Sequence, residues 1–270
     1  MIAAQHFHDS IGWHGSEYAH KPDKGVMAKQ ATPQFALNPA LDAQALAKRF
    51  QESGRIHIGG LLDPASADAM HAQLRARTDW KQVINSGERL VELTRPTRAG
   101  LSAAQQTDLD NAVYAGAREG FQFRYESIRV PDETRLRATS NDPLAAFAAW
   151  LSRGAARDFL REVMQEPKIA YADAQATAYS PGDFLTGHDD AVPGKHRLAA
   201  YVFNLTPIWR PEWGGLLLFH DRDGVSVDGF SPVHNALNLF RVPQIHSVSE
   251  VTRAAAFRRY AITGWLRSKG

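Results

Sequence analysis

The sequence predicts an α+β protein in which helices from the N-terminal half pack on the outside of an antiparallel β-sandwich or barrel built from the C-terminal half. Three observations predict it. Between Leu41 and Met164 apolar residues recur mainly at helical spacing. From about Ile169 short alternating or apolar runs are separated by Gly, Pro, Asp and Asn, the texture of successive short strands. The 270 residues are 44% apolar and 22% charged, enough apolar material for one sizeable core.

In chain order, residues 1–35 are polar and show neither a helical nor a strand period, and their histidines (His6, His8, His14, His20) lack metal-site spacing. They read as an arm or a partly ordered tail ahead of a single domain over residues 36–270. Leu41 to Phe50 has helical spacing and stops before Gly54. Arg55 to Ile58 alternates like a strand. A helix opens at Pro64, with Ala67, Met70 and Leu74 on its apolar face. Trp80 to Glu92, with Gly87 and mixed polarity, reads as a loop able to cover a site. A helix is expected over Ala103 to Glu119, a strand over Phe121 to Ile128, and two short helices over Pro143 to Met164, broken near Gly154. Gln175–Tyr179, Leu198–Leu205, Gly215–Phe219, Asn235–Phe240 and Arg259–Leu266 are the expected strands. Trp213-Gly214-Gly215 reads as a structural tight turn.

Composition narrows the function. A formal charge of +2, from 31 Lys and Arg against 29 Asp and Glu, gives no field that calls for nucleic acid or a membrane surface. There is no cysteine, which excludes disulfides, thiolate nucleophiles and cysteine-ligated clusters and leaves any metal on nitrogen and oxygen. No apolar run approaches the ~18 residues of a membrane span, and no secretory leader pattern opens the chain, so a cytoplasmic location is expected.

The chemistry-bearing residues lie in the second half. His188 and Asp190 stand at i and i+2, a spacing that puts both side chains on one face of an extended backbone. His246 follows 58 residues after His188 (246 − 188). Two histidines and one carboxylate leave adjacent positions open on an ion, the facial arrangement suited to iron(II) that must also bind a chelating co-substrate and oxygen. Arg259, 13 residues after His246 (259 − 246), lies on a strand-like run beside small residues, where a guanidinium can fork onto a carboxylate. Arg258, on the other face, reads as a solvated edge charge. Among rival ligands, His196, His220 and His234 have no carboxylate two residues on.

Y-S-P-G-D-F-L before H-D-D, an intervening W-G-G-L-L-L-F-H, H-S-V-S-E-V and R-Y-A-I-T-G-W occur in that order between Tyr179 and Leu266. This stretch, about a third of the chain, resembles the 2-oxoglutarate and iron(II)-dependent prolyl hydroxylase superfamily, and most of all the branch acting on proline. The resemblance implies a double-stranded β-helix (jelly-roll) core with flanking N-terminal helices, and a dioxygenase that hydroxylates a prolyl residue in a peptide or protein. It implies iron(II) on His188, Asp190 and His246, 2-oxoglutarate as co-substrate salt-bridged by Arg259, O2 as oxidant and ascorbate as an optional accessory. Tyr179 matches a family tyrosine lining the site, whose hydroxyl meets co-substrate or substrate. The family's second tyrosine aligns best with Phe203. Tyr201, two residues earlier, supplies that hydroxyl from a neighbouring position, or the site does without it. Asp190 argues against halogenation, because halogenating relatives carry a small residue there. Alternatives are hydroxylation of a free amino acid or other small molecule, and a non-catalytic metal-binding β-sandwich module. Arg259 and Tyr179 weigh against the module. A zinc hydrolase on the same ligands lacks an evident general base.

Overall fold

The structure is a computed structural model that describes residues 35–269 apart from Arg222. The arm expected over residues 1–35 therefore lies, Phe35 excepted, outside the described residues. Helix α1 (Ala43–Ser53) is capped by the Asp42 carboxylate and closed by Gly54 at φ 69°, a left-handed position that suits glycine. Strand β1 (Arg55–Gly59) and helix α2 (Pro64–Ala76), with Asp63 as cap and Pro64 in the first turn, follow as the sequence predicts.

Trp80 to Glu92 departs from expectation. It belongs to a β-hairpin, β2 (Lys81–Ser86) and β3 (Arg89–Thr94), whose register pairs Ser86 with Arg89 across a two-residue turn. Gly87 opens that turn at φ 60°, the residue type and position a tight hairpin favours. Because β2 also pairs with β4, the segment is part of the sheet rather than a free loop.

Short helix α3 (Arg95–Ala99) leads to α4 (Ala103–Glu119), which opens with a reciprocal Ser102/Gln105 capping box. Strand β4 (Phe123–Arg129), short helix α5 (Thr134–Ala138) and the pair α6 (Pro143–Leu151) and α7 (Gly154–Met164) complete the first half. The second half holds β5 (Tyr171–Ala172), β6 (Gln175–Tyr179), β7 (Phe184–His188), β8 (Arg197–Asn204), β9 (Leu217–His220), β10 (Val227–Phe230), β11 (Ala236–Arg241), β12 (His246–Val248) and β13 (Arg259–Arg267).

Every ladder is antiparallel, and the strand order is β1-β11-β8-β13-β6-β4-β7-β12-β9-β10. Strand β4 joins the two halves by pairing with β6 along Glu126–Arg129 and with β7 at Phe123 and Arg124. The sheet thus turns back on itself as a nearly closed jelly roll, with apolar residues on both faces. On the outer face Tyr201, Phe203, Leu237, Leu239, Tyr260 and Ile262 share one buried cluster with Phe50, Met70, Leu74 and Phe147 of the helices. On the inner face Ala200, Val202, Phe240 and Ala261 meet Leu217 and Phe219 from the opposite half. Among the described residues no helix is long and apolar enough to cross a membrane.

The outer core is the main holdfast of the helices. Phe203 is fully buried and stacks on Phe147 at 5.3 Å between ring centroids. Phe203→Ala is expected to cost ~3–5 kcal/mol through lost burial and a residual cavity, read as a lower urea midpoint. A loss under about 1 kcal/mol would refute this account of how the helices are held.

Candidate metal and co-substrate site

His188 ends β7 and His246 begins β12, and the register sets them directly opposite each other, with ring centroids 4.3 Å apart. Asp190 lies just beyond β7, in the connection to β8 rather than on the strand. Its backbone oxygen accepts from Arg197 Nη1 at 3.0 Å, which fixes the connection where the carboxylate meets both rings. His188 Nε2 lies 3.7 Å from one Asp190 carboxylate oxygen and His246 Nε2 3.5 Å from the other. The three donor atoms fall within 4.8 Å of one another, consistent with bonds of ~2 Å to a shared ion.

The tautomers are set from outside. His188 Nδ1 lies 3.0 Å from the Thr186 carbonyl and His246 Nδ1 2.8 Å from the Gln244 carbonyl. A carbonyl only accepts, so each Nδ1 carries a proton and each Nε2 is the nitrogen that faces Asp190. Burial, reinforced by the neighbouring His188, pushes the His246 pKa down to about 4, which leaves the ring neutral near pH 7. Phe240 packs on His246 at 4.6 Å and Phe121 on His188 at 5.1 Å, limiting ring rotation.

Arg259 opens β13, paired in register with Tyr179 of β6. It is 1% exposed, and among the described residues no carboxylate lies within ion-pairing distance. Its Nη2 reaches Asn204 Oδ1 at 3.5 Å, its guanidinium faces the Tyr179 ring at 5.2 Å, and its Nε has no acceptor. Desolvation lowers its pKa, the signature of a charge taken out of water without a counter-ion. Gly215 makes room for it, since a Cβ there would sit 3.1 Å from Arg259 Cδ. Val248 and Val251 pack with Tyr179, and Tyr125 stacks on Tyr179 at 5.0 Å. Burial raises the Tyr179 hydroxyl pKa well above its ordinary value, so it is a neutral donor.

Of the six residues read from sequence, His188, Asp190, His246, Arg259 and Tyr179 line the barrel interior, and Tyr201 does not. Tyr201 is on the outer face, its hydroxyl donating to the Asp173 carbonyl at 2.7 Å. Phe203 shares that face, because alternate residues of β8 point oppositely and the inward set is Ala200, Val202 and Asn204. Asn204 and Tyr125 are the neighbours that sequence reasoning missed. Arg258 is no free edge charge: it ion-pairs with Glu126 and donates to Ser180 Oγ at 3.0 Å. Rival His220 is bonded to Ser247 Oγ at 2.6 Å, and His234 lies 3.4 Å from Asp68, apart from the triad.

The fold and site define a class: a jelly-roll barrel whose interior presents two histidines and a carboxylate to one point and a buried arginine further in. Residues 174–267 match the 2OG-Fe(II) oxygenase superfamily. Prolyl 3-hydroxylase OGFOD1 of Mus musculus is 33% identical over 126 residues, which cover 44% of this chain and 21% of that protein. The chain therefore spans about a fifth of the length of that curated relative. A prolyl-4-hydroxylase from Pseudomonas putida superposes with a TM-score of 0.55 at 18% identity, covering 85% of this chain and 100% of the other. A prolyl hydroxylase from Trichoplax adhaerens, in complex with a hypoxia inducible factor oxygen degradation domain peptide fragment, gives 0.52 at 14% identity over 84% and 89% of the two chains. The comparisons thus give residues 174–267 a likeness to the 2OG-Fe(II) oxygenase superfamily, and the solved neighbours share the fold. That superfamily implies iron(II) and 2-oxoglutarate, and the donor set here fits both, through two imidazole nitrogens and one carboxylate at one point and a buried cation with no ion-pair partner among the described residues.

Two outcomes follow. Tyr201→Phe is expected to cost ~1 kcal/mol of stability through its hydrogen bond and to leave 2-oxoglutarate affinity unchanged; weakened binding would return Tyr201 to the site. Arg259→Met is expected to leave the ligand-free protein as stable as the parent, or more so, because a buried unpaired charge gives way to an apolar side chain. A thermal midpoint lowered by more than a few degrees would show that Arg259 serves the fold.

Proposed function

We propose that the chain is an iron(II) and 2-oxoglutarate-dependent hydroxylase of a prolyl residue in a peptide or protein, carried by a single domain over residues 36–270. The observation that supports this most is the co-location, inside one barrel, of the His188/Asp190/His246 cluster with the unpaired guanidinium of Arg259. One apolar cluster serves both, since Phe240 packs on His246 and Ala261 lies two residues along β13 from Arg259. A metal site with a purely structural role has no use for that buried cation. The retained carboxylate of Asp190 supports hydroxylation rather than halogenation, and relatives named prolyl hydroxylases support proline as the target.

In this reading His188 Nε2, Asp190 and His246 Nε2 hold the iron, and Arg259 holds the distal carboxylate of 2-oxoglutarate. When bound, iron and 2-oxoglutarate supply hydroxylation by O2 coupled to decarboxylation of the co-substrate to succinate. The chain's own contribution is positional. The Thr186 and Gln244 carbonyls keep the imidazole protons on Nδ1, so no tautomer change is needed when metal binds. Arg259 anchors one end of a dicarboxylate and restricts the orientations of the rest. Tyr179, neutral and beside the guanidinium, is placed to donate a hydrogen bond to the same ligand. The apolar walls around Tyr179 exclude water and strengthen these polar contacts.

Anaerobic titration of the purified protein with iron(II) and 2-oxoglutarate should develop the visible charge-transfer band of the chelate. Chelation of the metal with EDTA, or Asp190→Ala, should abolish it, and Arg259→Ala should raise the 2-oxoglutarate concentration required by about thirtyfold or more. A folded, iron-loaded protein without the band contradicts the reading. In air, proline-containing peptides should gain the mass of one oxygen atom in step with succinate release. Turnover confined to free amino acids would replace the polypeptide substrate with a small molecule.

A further inference from the structure

Two basic cavities flank the end of β13, and the first reaches the candidate site through Arg197. The first, of ≈220 Å³, is walled by Arg129, Lys195, Arg197 and Arg267 against two carboxylates, Asp132 and Asp173. The second, open and of ≈550 Å³, is walled by Arg157, Arg161, Lys168 and Lys269 with no carboxylate in its lining. The end of β13 is the ridge between them. Arg267 Nε donates to the Lys195 carbonyl at 2.8 Å, the Ser268 amide to the His196 carbonyl at 3.0 Å, and the Ala170 amide to the Arg267 carbonyl at 2.8 Å.

Part of this charge is answered locally. Arg267 lies 3.3 Å from Asp173, and Arg157 and Arg161 share Asp158 at 3.3 and 3.4 Å. Among the described residues Arg129, Lys168, Lys195 and Lys269 form no ion pair, so the band keeps an excess of cations. It also reaches the site, because Arg197 lines the first cavity and donates to the Asp190 backbone. In the same wall Arg197 Nε and Trp265 Nε1 are buried donors without an acceptor. A mouth of this kind favours a ligand that brings carboxylate and carbonyl oxygens.

We propose that this basic band docks an acidic flank of the polypeptide substrate, within a few residues of the hydroxylated position. The inference rests on the polypeptide-hydroxylase reading and adds the charge of the substrate. Trp265 to Lys269 spans ~13 Å at the rise of an extended strand, matched by about four extended substrate residues. A peptide fits better than a nucleic acid because the band offers no free stacking platform. Arg197 lies 3.5 Å over the Trp265 ring, and Arg267 lies 5.2 Å over Tyr171. Exposed ion pairs are individually weak, so a few of them amount to roughly a tenfold preference that salt removes.

The test is fluorescence anisotropy on the full chain, anaerobic and loaded with iron(II) and 2-oxoglutarate. The probes are short fluorescein-labelled peptides with one central proline, flanked before or after it by glutamates, and their glutamine counterparts. Unlabelled single-stranded RNA of equal length serves as competitor. One glutamate peptide should bind about tenfold tighter than its glutamine partner at low salt, and lose that advantage at high salt. The double variant Arg157→Gln/Lys269→Gln, both on the outer cavity, should lose it at any salt while keeping the charge-transfer band. Equal binding of glutamate and glutamine peptides, or RNA displacing the glutamate peptide better than unlabelled glutamate peptide does, overturns the proposal. If the band fails to form while the acidic preference persists, the oxygenase reading falls and the docking surface stands.

Discussion

A permanently charged side chain buried with no counter-ion among the described residues is the constraint around which the interior is built. Arg259 is 1% exposed, and an isolated guanidinium in such surroundings costs several kcal/mol unless something answers it. What the fold provides is partial: one amide oxygen from Asn204, the face of Tyr179, and space left by the missing side chain of Gly215. Each comes from a different strand or turn, brought together by the β13 pairings with β6 and β8. The deficit is the size and sign of one carboxylate.

The same sheet geometry produces the second polar focus. Pairing β12 with β7 sets the two histidines opposite each other, and the Asp190 connection, tied down by Arg197, supplies the third donor. Between the foci the inner face is apolar, with Ala200, Val202 and Ala261 beside the larger Leu217, Phe219 and Phe240. The outer face of the same strands is crowded with Tyr201, Phe203, Tyr260 and Ile262 against the helices.

How much of this was legible follows from what a single strand can reveal. The His188/Asp190 pairing was readable as a local i, i+2 spacing, and His246 and Arg259 by following it in order along the chain. Two helix ends were readable for the same reason, through Pro64 and Gly54. The face of β8 was not, because alternation shows only that Tyr201 and Phe203 go together. Which set points inward is decided by register, with Tyr201 opposite Gly264 and Asn204 opposite Ala261. The smallness of Ala200 and Val202 beside Asn204 was the available hint. The β2–β3 hairpin has a sequence signal of its own, a glycine-led two-residue turn between two strand-forming runs.

In the proposed function Arg259 is reserved for the far carboxylate of a keto-acid. The most direct measurement compares calorimetric affinities of the anaerobic, iron(II)-loaded protein for 2-oxoglutarate and for 2-oxopentanoate, which keeps the chelating end and carries a methyl group in place of the distal carboxylate. A preference of about a hundredfold or more for 2-oxoglutarate, lost in Arg259→Met, is the predicted result. Equal affinities in the parent protein would contradict the account, leaving the buried guanidinium without a ligand.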